Sequence, residues 1–255
     1  QIVEQTIVDV RLNGYSVQHP YGKEAREMII AHVRGVAATP VLAAIADAKR
    51  RMERMDMRTH TSALVLYCVL RDLYPQTKNA LIIDVSGEAT QVMLMQDTVL
   101  YESLTAPQGT GSLARALARR CKTIPEEAQA YLRSYKHGGL TRAQQEAVRQ
   151  AQTDYARMLE AAFAELAKRS VLPKTAFCII DRQFEPFFAD ALAMAAYRSG
   201  GAAGSALLFL SPEHTRHFAA MGKNAVLDPR LAMIARFFHK LHGCGELDIR
   251  EQDVY

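Results

Sequence analysis

Asp84, Ser86, Gly87, Glu88 and Thr90 crowd into one turn between two apolar runs, Ala80 to Val85 and Val92 to Met95. An apolar run of Ile, Val and Leu that meets Asp, Ser and Gly reads as a core strand entering a tight turn. Such a turn has two uses. In the first, Gly87 lets the backbone come close to a ligand, successive N–H groups form a nest for an anion, and Asp84 holds a hydrated magnesium ion through one carboxylate oxygen. In the second, the same residues are an ordinary hairpin turn, with Asp84 as a turn former and Thr90 alternating along the next strand. Ser86 has no His and Asp beside it in a nucleophile arrangement, so serine-hydrolase chemistry is not supported.

Other residues that could carry chemistry are scattered. Asp181 and Arg182 follow the apolar run Ala176 to Ile180 and read as a local ion pair. His214 and His217 lie at a spacing that puts both on one helix face, as do His239 and His242. Without a third ligand the first pair reads as surface histidines, and the second as cations near a helix C-terminus. Cys68, Cys121, Cys178 and Cys244 are far apart, with no Cys-x-x-Cys pair, and read as buried thiols in a reducing compartment.

The elements that must position the turn follow from periodicity. Ile2 to Leu12 alternates apolar and polar residues and stops at Asn13-Gly14, which predicts a strand and a turn. Ala25 to Val36 predicts a second strand, and Thr39-Pro40 the start of a helix running to about Arg54. A broad apolar face from Ala63 to Leu70 predicts another helix, ending near Tyr74-Pro75. After the hairpin comes a strand from Val99 to Ser103, then the loop Ala106 to Gly111, with Ser112 capping the next helix. Ile124-Pro125-Glu126-Glu127 opens a further helix with carboxylates where the dipole favours them. A long amphipathic helix is predicted from Thr141 to Ser170, then a strand, a helix over Pro186 to Tyr197, a strand over Ala206 to Leu210, and a last helix from Asp228-Pro229 to about Gly243.

The 255 residues are 49% hydrophobic and 23% charged, an ordinary globular composition with room for one large core or two domains. A net charge of +4 is mild and dispersed, and there is no Trp, so nucleic-acid binding has little support. No apolar run approaches the roughly 20 residues of a membrane span, and Gln1 opens no signal-peptide pattern. The simplest compartment is the cytoplasm, with membrane association only through partners. Because the chain opens on Gln1 rather than Met, it reads as a piece of something longer.

The order of these elements resembles the actin-like ATPase superfamily, in the branch of the cell-division protein FtsA and the pilus-assembly protein PilM. Asp84-Val85-Ser86-Gly87-Glu88-Ala89-Thr90 stands where that family has its second phosphate loop. Pro107-Gln108-Gly109-Thr110-Gly111 resembles the Gly-containing loop before the next helix, and Pro125-Glu126-Glu127-Ala128 a Glu-Glu-Ala helix start. Asp228-Pro229-Arg230-Leu231-Ala232 is similar to the Asp-Pro that opens the closing helix, and Leu12-Asn13-Gly14-Tyr15 with Pro20-Tyr21-Gly22-Lys23 to the FtsA-type interaction subdomain.

The resemblance implies an α/β fold, an actin-like (ribonuclease-H-like) mixed sheet flanked by helices, over residues 59–255. Residues 1–58 would be a smaller α+β interaction subdomain. It implies a residual nucleotide site at Asp84, Ser86, Gly87, Glu88, Thr90, Gly109 and Gly111, with Asp84 as the one candidate for magnesium. The departures matter more for function. No Asp-x-Gly first phosphate loop precedes Asp84, the Gly-Gly-Gly adenosine turn is replaced by Asp181-Arg182-Gln183-Phe184, and Gln129 and Leu132 stand where the ribose-contacting helix has Glu and Lys. Glu88 adds a charge where phosphates would sit, at a cost of about 1 to 4 kcal/mol for a pair about 4 Å apart.

The expectation is therefore a cytoplasmic scaffold or assembly protein of the FtsA/PilM type with impaired ATP and Mg binding. It would work through protein partners of a division or pilus machine or through homo-oligomers, without nucleic acid or direct membrane insertion. The alternative is a working ATP-binding ATPase whose first phosphate loop lies in a missing N-terminal region. A sugar or acetate kinase on the same fold would need a general-base Asp opposite a sugar pocket, and none stands out.

Overall fold

A computed structural model describes residues 1–52, 59–198, 206–215 and 228–243. The chain forms two compact units, residues 1–70 with 234–255, and residues 71–233.

In the first unit, alternation over Ile2 to Leu12 produces β1 (Ile2–Leu12). It turns through Asn13 and Gly14, both at positive φ, into the short β2 (Tyr15–Ser16). Asn13 is then fixed from the far side, its Oδ1 accepting the N–H groups of Arg26 and Glu27 at 2.9 and 3.2 Å. β3 (Met28–Val36) returns antiparallel to β1, giving the order β2-β1-β3. The predicted strand, strand, helix pattern thus gains a strand, since two residues are too few to leave a period in the sequence. α1 (Thr39–Arg51) starts with Pro40 in its first turn and buries none of its residues. α2 (Ser62–Leu73) has the broad apolar face expected, with Leu64, Leu66, Tyr67 and Leu70 fully enclosed.

One buried polar cluster ties this unit together. The Glu4 carboxylate meets His60 Nδ1 at 2.6 Å and accepts the Thr61 N–H and hydroxyl at 2.9 and 2.7 Å. The His60 ring in turn lies against Phe237 and Phe238, at centroid distances of 5.1 and 5.7 Å. A carboxylate taken out of water in mid-strand is tolerable only with its oxygens satisfied in this way.

The second unit is built on a five-stranded sheet of order β6-β5-β4-β7-β8. β4 (Ala80–Val85), β5 (Thr90–Gln96) and β6 (Val99–Ala106) form an antiparallel meander, while β7 (Thr175–Ile179) and β8 (Ala206–Phe209) run parallel to β4. β4 is buried at every position, which is why it reads as an unbroken apolar run rather than an alternation. β6 continues past the predicted Ser103 because Thr105 and Ala106 still pair with Gln91 and Thr90.

Between β6 and β7 the chain makes α3 (Thr110–Cys121), α4 (Pro125–Arg133) and α5 (Arg142–Ala167). Parallel strands require such a crossover. Thr141 and Gln144 close a reciprocal capping box at the start of α5. A three-residue 3₁₀ turn, Arg182–Phe184, leads into α6 (Glu185–Arg198). α7 (Pro212–Thr215) and α8 (Pro229–Gly243) follow. Leu81, Ile83, Val85, Leu117, Tyr155, Leu159, Phe187 and Phe188 belong to one continuous core on the α3, α5 and α6 side of the sheet. No helix among the described residues is long and apolar enough to cross a membrane.

Candidate functional site

The hairpin turn from Asp84 to Thr90 sits at the end of the central strand and joins β4 to β5, which stay paired up to Val85 and Thr90. Asp84 is the last but one residue of β4 and only 6% exposed. Its Oδ1 accepts from Arg230, whose Nε lies at 3.1 Å and Nη2 at 2.5 Å, and Nη2 also reaches the Val85 carbonyl at 3.1 Å. Arg230 is held in place because Asp228 caps α8, its Oδ1 accepting the Arg230 N–H at 2.8 Å. Burial pushes the Asp84 carboxyl above the usual carboxylate range, and the Arg230 guanidinium pulls it back only in part, with Asp228 adding a further upward push.

The turn beyond Asp84 is closed on itself. Ser86 Oγ donates to the Ala89 carbonyl at 2.8 Å and accepts the Ala89 N–H at 3.2 Å. The Ser86 carbonyl accepts Thr110 N–H at 2.9 Å, and the Gly87 carbonyl accepts Gly111 and Ser112 N–H at 2.7 and 3.2 Å. The N-terminal amides of α3, the donors a helix offers an anion, are thereby spent on the turn's own carbonyls. Gly109 makes this approach possible. A Cβ there would stand 2.3 Å from Ser86 O and 2.8 Å from Ala89 N, whereas a Cβ on Gly87 would meet nothing within 4 Å. Gly111 is tighter than most positions, with the Gly87 carbonyl and Glu88 Oε1 both at 3.1 Å from its would-be Cβ.

Glu88 is drawn aside by Arg115 of α3, in a two-pronged ion pair with Oε1 to Nη1 at 2.9 Å. The Arg115 hydrogen bond holds its carboxyl below the usual range. Thr90 is fully buried and donates to the Gln108 carbonyl at 2.7 Å, while the Tyr155 hydroxyl of α5 lies 2.6 Å from its Oγ1 and is left to donate. Burial pushes the Tyr155 phenol well above its ordinary value, so it remains a proton donor at any physiological pH. Among the described residues, the N–H groups of Gly87 and Glu88 have no acceptor. Tyr155→Phe is expected to cost about 1 to 2 kcal/mol in urea unfolding, because it leaves a buried Thr90 lone pair without its donor.

The remaining sequence candidates fall elsewhere. The predicted Asp181–Arg182 ion pair is replaced by a cap: the Asp181 carboxylate accepts the Gln183 N–H at 3.2 Å and its side-chain amide at 2.6 Å. The 3₁₀ turn puts Gln183, not Arg182, within its reach. Phe184 fills the interior side of that turn, with the Arg133 guanidinium 5.5 Å above its ring. His214 Nδ1 caps its own short helix from 3.2 Å off the Ser211 N–H. His217, Cys244 and the loop Gly200 to Gly204 lie outside the described residues, as does the side chain of His242. No group of three or more potential metal ligands occurs among the described residues. Cys178 is buried, its thiol pushed up to about 12, and reads as inert. Sequence reasoning missed Arg230, Arg115 and Tyr155. Only Arg230 carried a signal, its position just after the Asp-Pro that opens α8.

The central hairpin, a third antiparallel strand and two parallel strands in the order 3-2-1-4-5 define an actin-like fold. A chain of the PilM–PilN type IV pilus biogenesis complex superposes on it with a TM-score of 0.61 at 13% identity, over 93% of this chain and 67% of that one. Weaker likenesses include an archaeal actin homolog (TM-score 0.45, 15% identity, 72% of this chain and 56% of that one). The ethanolamine utilization protein EutJ from Carboxydothermus hydrogenoformans is another (0.44, 14%, 69% and 53%). The chain thus spans about two thirds of the pilus chain's length and about half of the EutJ chain's. No family model and no curated protein sequence matches it.

Proposed function

We propose that this chain is an actin-fold assembly scaffold that works by protein contact rather than by turning over ATP. The observation that carries this reading is the Arg230 guanidinium seated on Asp84. A tethered cation occupies one of the two carboxylate oxygens, Oδ1, sets a positive charge beside the place a hydrated magnesium ion would take, and is also paired to the backbone at Val85. Two further features agree. The α3 amides are engaged by the turn, and the stretch Asp181 to Phe184 carries bulky side chains where bare backbone would be needed for a nucleoside. Together these features support a chain that does not hold a magnesium nucleotide.

The partners of such a scaffold would be proteins of a pilus or division machine. β3 is the structural feature suited to them. Among the described residues it pairs only with β1, so its other edge offers a row of main-chain groups, flanked by the exposed Met28, Ile29 and Val36. Addition of an extended partner segment at that edge is the binding mode this geometry favours.

A second reading, an ATP-binding ATPase completed by residues beyond this chain, is favoured by one observation, the unengaged N–H groups of Gly87 and Glu88. A phosphate-release assay separates the two. The scaffold reading expects no release from ATP and magnesium above the buffer rate, with Asp84→Asn indistinguishable from wild type; release that Asp84→Asn abolishes would overturn it.

A further inference from the structure

We propose that the groove between α3 and α5 is a docking surface for an acidic segment of a partner protein. Two cavities open there, of about 630 and 280 Å³, and Arg120 lines both. The smaller has an apolar floor of Leu113, Ala116 and Leu117. The larger extends from the C-terminal end of α3 to the capped N-terminus of α5.

Charge decides the partner's chemistry. The two carboxylates of the lining are already engaged, Glu146 by Arg149 at 3.1 Å and Asp154 by Arg120 and Arg157 at 3.4 and 3.8 Å. Arg119 and Lys122, which line the smaller and the larger cavity, are exposed and have no acidic partner among the described residues. A basic last turn on α3 alone would be explained by the helix dipole. The dipole does not explain an apolar floor between the cations. An incoming segment with an apolar side chain for the floor and carboxylates for Arg119 and Lys122 satisfies both.

The test uses the full chain and fluorescence anisotropy with a labelled peptide of alternating Glu and Leu, against a counterpart with Lys in place of Glu. The acidic peptide is expected to bind at least about tenfold tighter than the basic one, and to weaken as salt rises from low ionic strength. Arg119→Glu combined with Lys122→Glu is expected to weaken it about tenfold, and Ala116→Asp by a similar factor. Lys78→Glu, an exposed charge away from the groove, should leave it unchanged; all four replaced residues are exposed, and circular dichroism confirms that the variants fold. Equal affinity for the two peptides, no binding of either, insensitivity to the double reversal, or tighter binding of duplex DNA than of the acidic peptide would overturn the proposal.

Discussion

Arg230→Ala is expected to destabilise the chain by about 3 kcal/mol at pH 8 and by clearly less at pH 5. Removing one partner of a buried ion pair leaves the other charge without compensation, which costs about 3 to 5 kcal/mol when the pair is fully enclosed. Arg230 is partly open to solvent, its side chain 29% exposed, so the lower end applies. The pH dependence follows from Asp84. Its carboxyl is raised in the folded chain by burial, so between the ordinary carboxylate value and the folded one the native state binds more protons than the unfolded state. Stability contributed by this group therefore falls as pH rises through that window, and acid relieves it. Without Arg230 the main downward influence is gone, the folded value climbs further, and the window widens upward. Asp84→Asn should cost less than Arg230→Ala at pH 8, because a neutral amide is cheaper to bury than an unpaired carboxylate. Urea unfolding of both variants at the two pH values checks this, and an Arg230→Ala loss that is the same at pH 5 and pH 8 would contradict it.

Gly109→Ala is expected to cost about 3 kcal/mol or more, and Gly87→Ala no more than about 0.5 kcal/mol. The two glycines flank one contact and look equivalent in the sequence. At Gly109 the added methyl would meet three backbone atoms, Ser86 O, Ala89 N and Gly87 C, at 2.3 to 2.8 Å, and backbone cannot swing aside as a side chain can. The α3 amides would lose their carbonyl acceptors as the helix was pushed off the turn. At Gly87 there is open space, and its φ lies outside the left-handed region. Equal effects at the two positions would mean that the turn and α3 are not packed as described.

The elements themselves were legible because each leaves a local signature. β4 is an unbroken apolar run, β1 alternates, and α5 begins with a Thr and Gln at capping-box spacing. The two-residue β2 left none. The site was legible only as a location. Asp84 to Thr90 could be picked out as a polar turn at a core strand, but what those residues do depends on partners far away along the chain. Arg230 is 146 residues from Asp84, Tyr155 is 65 from Thr90, and Arg115 is 27 from Glu88. No periodicity carries such pairings. Glu88 accordingly read as a bare charge facing phosphates, whereas it is an ion pair with α3. Gly109 read as a loop residue, whereas its lack of a side chain is what lets the helix dock. The Asp181–Arg182 pairing failed for a related reason: adjacent residues in a 3₁₀ turn point apart, and the main-chain N–H two residues on competes better for the carboxylate.

An actin-fold scaffold that does not turn over ATP requires that this chain's own groups occupy the place of a nucleotide and its metal. Calorimetric titration of ATP with magnesium into the full chain tests that most directly. The expected result is no heat beyond dilution up to millimolar nucleotide, which corresponds to binding no stronger than about 4 kcal/mol. A one-to-one isotherm with a micromolar dissociation constant, lost on Asp84→Asn, would contradict it.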